Sequence, residues 1–227
     1  MSLCGCEVLS RPHTLHAPEE EGHERGWLSA KSEAPRCARG GFSSATLAMD
    51  VPLFGGAISA TFPQGRWLDA SDVRPVPDHQ EVWTERDGDG ERSLIVEILE
   101  RAECSDDMCA AYHFQDLAET NGAQSATVVS SSVASTSMLQ PSLQSASFCS
   151  VLHGEQVLPS AEIAVNLGVV RLVPQSTDLL VSICRPCRKL NDGSTAVATR
   201  LQEKQQDAEL LSAVLSSLDI KDFGLFG

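Results

Sequence analysis

The chain has 227 residues, 42% of them hydrophobic, which is enough for one domain with its own core. Its 31 acidic residues outnumber its 17 lysines and arginines, for a net charge of -14. Nucleic acid and anionic membrane surfaces need the opposite sign, so neither is an expected partner, and a basic protein surface is the natural complement.

Met1 to Ala48 carries scattered Pro, Gly, His and charge without a sustained period of 2 or 3.6. Its composition predicts a disordered extension, with residues 49–227 as the folded domain. The opening MSLCGCEVLS has neither the basic nor the apolar region of a secretory signal. No apolar run approaches the roughly 18–20 residues of a membrane span. The 8 cysteines are therefore read as free thiols of a reducing compartment.

Val51 to Phe62 reads as extended, with Gly55 and Gly56 marking a bend or close backbone approach. A glycine pair can also cradle phosphate, but the GxGxxG or GxxxxGK frame is missing. Asp69 to Asp72 offers cap residues for a helical turn. Gln80 to Thr84 and Leu94 to Leu99 are predicted strands, joined by the DG turn signals of Asp87 to Gly90. Leu94 to Leu99 is apolar except at Glu97, as if covered on both faces. A carboxylate in such a strand is costly unless it is paired or sits at an open rim. Glu97 is thus the strongest purely physical hint of function.

Asp106 to Glu119 is a predicted helix capped by Ser105 and stopped at Asn121-Gly122. His113 on it reads as a surface or boundary residue, without a second ligand at zinc spacing. The serine-rich stretch from Ala123 to Ser147 predicts an edge strand and a loop. Phe148 to His153 reads as a strand closed by a turn at Gly154. Leu167 to Val173 and Asp178 to Cys184 read as two more, in antiparallel order. Cys184-Arg185-Pro186-Cys187 offers a redox dithiol or half a zinc site, but a helix N-terminus and further ligands are missing. Thr199 to Leu218 is the clearest helix, with Leu201, Ala208, Leu211, Val214, Leu215 and Leu218 as its apolar stripe. Phe223, Leu225 and Phe226 are expected to pin the tail to the body. The order of elements predicts an α+β fold, a mainly antiparallel sheet flanked by helices on both faces. No GxSxG, HExxH or framed Cys–His pair marks a catalytic centre. Between Asp69 and Glu119, 15 acidic residues face 4 basic ones, which suits either a solvated surface or an interaction face.

Three blocks carry a resemblance: Leu53-Phe54-Gly55-Gly56-Ala57-Ile58, Asp72 to Val82 (DVRPVPDHQEV), and Ser93 to Glu100 (SLIVEILE). In that order they resemble the Ran guanine nucleotide release factor family, also called the MOG-one family. Tyr112 to Asp116, Thr177 to Leu180 and the tail Phe223 to Gly227 extend the similarity. Members tend to begin just before the first block, so Met49 is an expected usual start. The resemblance implies an α/β/α sandwich shared with PsbP-like proteins. It implies a non-enzymatic, cofactor-free monomer of nucleus and cytoplasm that binds Ran, promotes release of its guanine nucleotide and supports nuclear import. A second implied role is the cell-surface trafficking of a voltage-gated sodium channel. Glu97, Glu100, Asp78 and Glu81 match acidic positions of the family blocks and are the expected Ran-binding residues. In a straight strand Glu97 and Glu100 point to opposite faces, so they share a partner only if the strand ends near Leu99. The alternative is a redox protein using Cys184 and Cys187.

Overall fold

The computed structural model describes residues 48–63, 67–85, 92–144, 147–187 and 193–226. The expected extension before Ala48 and the DG turn at Asp87 to Gly90 lie outside them. β1 (Ala48–Leu53) and β2 (Ile58–Pro63) form an antiparallel hairpin rather than one bent segment. The turn between them takes φ of 50° at Phe54, 65° at Gly55 and 94° at Gly56. Glycine enters that region freely, whereas Phe54 is strained there. The strained turn is held from outside, by a Phe54 N–H donated to Glu81 Oε1 at 2.6 Å.

β3 (Trp67–Asp69), β4 (Gln80–Glu85), β5 (Ser93–Glu100), β6 (Ser125–Ala134), β7 (Ser147–Val157), β8 (Glu162–Leu172) and β9 (Thr177–Cys187) form one sheet. Its order is β3-β4-β5-β9-β8-β7-β6, and every neighbouring pair is antiparallel. α1 (Cys109–Thr120) precedes β6, the four-residue α2 (Pro141–Gln144) precedes β7, and α3 (Gly193–Ser217) follows β9. β10 (Asp219–Ile220) pairs with β2 and completes a small sheet ordered β1-β2-β10.

The period-2 alternation of the strands builds two cores. On one face Leu94, Val96, Val170, Leu172, Leu179, Val181 and Ile183 pack with β1, β2 and the α3 residues Leu210, Leu211, Val214 and Leu215. On the other, Leu167, Val169 and Leu180 pack with Phe114 and Leu117 of α1. Helices therefore flank the sheet on both faces, and β5 is apolar from Leu94 to Leu99 except at Glu97 because both of its sides are covered.

Two expectations change. β7 does not turn at Gly154 but runs on to Val157. A Cβ at Gly154 would lie 2.5 Å from the Phe114 ring, so the glycine is there to let α1 lie close on the strand. In α3 the expected stripe fails in its first half: Leu201 is 63% exposed and Ala208 is exposed as well. The buried residue is Asp207, bonded to Arg92 Nη1 at 3.1 Å and to Arg185 Nε and Nη2 at 2.7 and 2.6 Å. Arg92 also grips both oxygens of Glu85 at 2.8 and 2.6 Å. Here α3 docks through paired charges, which apolar periodicity cannot reveal. At the C-terminus Leu225 and Phe226 pack on the core, whereas Phe223 is 40% exposed.

Leu94→Ala is expected to cost about 2–5 kcal/mol, the range for a fully buried aliphatic side chain. Denaturant melts giving wild-type stability would show that β5 is not central. A pH series tests a second buried element. Burial raises the Asp178 pKa, but bonds from His113, Arg171 and the Ala102 N–H outweigh it and hold the group at about 2, below its ordinary 3.8. A depressed carboxylate stabilises the fold above its unfolded pKa and loses that contribution as pH falls through the folded value. Roughly 2 kcal/mol should therefore vanish between about pH 4 and pH 2. Asp178→Asn, less stable than wild type near neutral pH, should lose less over that window. An equal loss in both proteins would contradict the assignment.

Candidate functional site at the acidic end of the sheet

Register brings the expected site residues to one end of the large sheet. Gln80, the first residue of β4, pairs with Glu97 near the end of β5. The Ile98 N–H donates to the His79 carbonyl at 2.9 Å and carries the pairing one step further. Asp78 lies just beyond β4, exposed, and Glu100 closes β5, also exposed. Glu97 is only 7% exposed. It accepts Gln80 Nε2 at 2.7 Å and has His79 Nε2 at 3.5 Å. It lies on the α1 face, beside Leu99, His113 and Asp116. The cost of a carboxylate inside β5 is thus met by cross-strand partners. Glu81, half-buried, belongs to the opposite face, where it holds the Phe54 turn; burial raises its pKa.

The four residues therefore share an end of the sheet but not one surface. β5 stays regular through Glu100, which pairs with Thr177, so Glu97 and Glu100 do not share a face. Asp78 and Glu100 are exposed; Glu97 and Glu81 organise what lies beneath them. Beside Asp78 opens a hollow of about 440 Å³, lined among others by Phe54, Gly55, Asp69, Glu81 and Leu225. Its acid-rich rim suits a cationic group of a protein partner.

One component was not singled out as a site in the sequence. Arg171 of β8 and Asp178 of β9 pair across the ladder, both wholly buried, at 2.9 Å. Arg171 also donates to the carbonyls of Cys104 and Ala102 and to Asp106 Oδ1, at 2.8, 2.6 and 2.8 Å. Asp178 takes His113 Nε2 at 2.8 Å and the Ala102 N–H at 3.0 Å. His113, expected at the surface, is instead 4% exposed, because it reaches inward to this carboxylate. The cluster ties the chain between β5 and α1 to the sheet, directly beyond Glu100. A cation inside the apolar run LGVVRLV was the available signal.

The thiol reading is corrected. β9 continues through Cys187, so Cys184 and Cys187 are three residues apart in an extended strand and point to opposite faces. Their Cα atoms are then about 10 Å apart, too far for a disulfide. Burial raises the Cys187 pKa, the wrong direction for a reactive thiol. Among the described residues no group of three or more His, Cys, Asp or Glu is placed to hold a metal ion. No described helix is long and apolar enough to cross a membrane.

Known proteins resemble the chain in sequence and in fold. The family model described as Ran-interacting Mog1 protein matches residues 51–186. The Ran guanine nucleotide release factor of Danio rerio is 33% identical over 187 residues, 79% of this chain and 100% of that protein. The Bos taurus protein of the same name is 38% identical over 147 residues, 60% of this chain and 75% of its own. The crystal structure of the Saccharomyces cerevisiae Ran-binding protein Mog1p superposes with a TM-score of 0.61 at 24% identity. It covers 81% of this chain and 100% of that one, a likeness of fold. The chain belongs to the family of Ran-interacting Mog1 proteins.

Proposed function

We propose that the chain binds the GTPase Ran and promotes release of its guanine nucleotide, in support of nuclear protein import. The relatives' names supply the partner. The observation that carries the site is that Asp78 and Glu100 are both exposed at one end of the sheet, with the acid-rich hollow beside Asp78. In this reading Glu97 and Glu81 are positioning residues. The first is clamped by Gln80 and fixes the strand pair; the second fixes the strained Phe54 turn that walls the hollow.

Release needs no covalent step. If the chain binds nucleotide-free Ran more tightly than loaded Ran, nucleotide and chain weaken each other by the same factor. A coupling of roughly 1–3 kcal/mol is typical of such linkage and would weaken nucleotide binding by about 5–150-fold. Carboxylates suit such a role, because they pair with lysines and arginines near a phosphate site, or repel phosphate and compete for its magnesium. The reading is of a monomer working in nucleus and cytoplasm. A further role at a voltage-gated sodium channel rests on the family resemblance alone, and no residues are assigned to it.

The test is double charge reversal, Asp78→Lys with Glu100→Lys. Both side chains are exposed, so circular dichroism should stay that of the wild type. Ran binding should weaken by more than the ~0–1 kcal/mol of an ordinary exposed ion pair, because like charges now oppose a basic partner. Release of labelled guanine nucleotide from Ran should slow accordingly. A folded double variant that releases nucleotide at the wild-type rate would remove these residues from the interface. Reversal at Glu97 is a poorer probe, since a buried, bonded carboxylate couples binding to folding.

A further inference from the structure

α3 lies over β2, β8 and β9. Beside it, toward β7 and β6, a cleft of about 270 Å³ opens on the same face of the sheet. Its apolar walls include Met138, Val151 and Leu211, and Lys204 of α3 stands in its lining. Among the described residues no carboxylate lines it. That is a selective feature in a chain of net charge -14, where most surfaces repel anions. Among the described residues Lys204 has no ion-pair partner.

The polar groups of the cleft are incompletely used. His153, 8% exposed, and Asn166, 3% exposed, both line it. His153 Nδ1 meets Asn166 Oδ1 at 3.0 Å, while Asn166 Nδ2 is buried without a partner. An amide oxygen only accepts, so Nδ1 carries the proton and donates. Burial, and then the Lys204 ammonium, push the His153 pKa down, so the ring is neutral near pH 7. A buried N–H left unbonded is unfavourable, and a ligand that accepts from it relieves that cost.

We propose that this cleft binds a small organic acid with an apolar body. The carboxylate pairs with Lys204, the body lies against Met138, Val151 and Leu211, and Asn166 Nδ2 supplies a further donor. The site is at the β6–β7 edge of the sheet, whereas Asp78 lies at the start of β4 near the other edge. It is therefore separate from the proposed Ran surface, and its test does not depend on that reading.

Methyl NMR of the full chain with labelled methionine gives the test, with octanoate as probe and octanol as its uncharged counterpart. Met138 lines the cleft, and the exposed Met108 beside α1 serves as an internal control. Octanoate should shift the Met138 methyl saturably and leave Met108 in place. Octanol should bind about tenfold more weakly or worse, the loss of one charge-assisted hydrogen bond. Lys204→Gln should weaken octanoate by a similar factor without changing octanol. An unmoved Met138, equal shifts at Met138 and Met108, or equal affinities for octanoate and octanol would each overturn the site.

Discussion

The acidic end of the molecule depends on one buried ion pair. Arg171 and Asp178 face each other across β8 and β9 with no exposed surface. Two charges taken out of water are tolerable only when paired and hydrogen-bonded throughout. The protein meets that demand with the backbone of Ala102 and Cys104, with Asp106 and with His113. The same bonds pull the chain after β5 back onto the sheet and seat α1 by its histidine. The direction in which Glu100 leaves β5 follows from this. Breaking one partner would leave the other buried and uncompensated, a cost of about 3–5 kcal/mol.

The carboxylates near that end fall into two kinds. Glu81, Glu97 and Asp178 are internal, each meeting a specific donor, and they set backbone geometry. Asp78 and Glu100 are exposed and are available to a partner. The separation matters for any nucleotide-release factor that works by binding alone. Such a factor needs its contact charges held rigidly enough that the coupling to nucleotide is not dissipated in side-chain and loop ordering. In the proposed reading the internal carboxylates supply the rigidity and the surface ones supply the charge.

Much of the fold was legible because its strands obey simple rules. The run at β5 announced a strand covered on both faces, and Glu97 announced that it reached a rim or a partner. The pairing of β4 with β5 followed from two strands around a turn signal. Legibility ended where the chain solves a problem with a contact distant in sequence. Gly154 looks like a turn because its reason, the Phe114 ring, is 40 residues away. α3 looks apolar at Leu201 and Ala208, yet there it docks through Asp207 on Arg92 and Arg185. His113 looks like a surface residue until Asp178 is brought beneath it. The pair Cys184 and Cys187 looks like a dithiol until β9 is seen to run straight through it. Among the site residues, the apolar run placed Glu97 inside a covered strand but could not decide between a rim and a buried partner, because that is set by register.

The proposed release rests on a linkage: the chain discharges nucleotide from Ran because it prefers Ran without it. The affinity of the chain for Ran, measured by calorimetry with the nucleotide removed and again with guanine nucleotide and magnesium saturating, tests this without intermediate steps. Affinity for nucleotide-free Ran should be higher by about 5–150-fold, the span of a 1–3 kcal/mol coupling. Equal affinity in the two states would refute the linkage, because a partner that does not distinguish them cannot shift nucleotide off Ran.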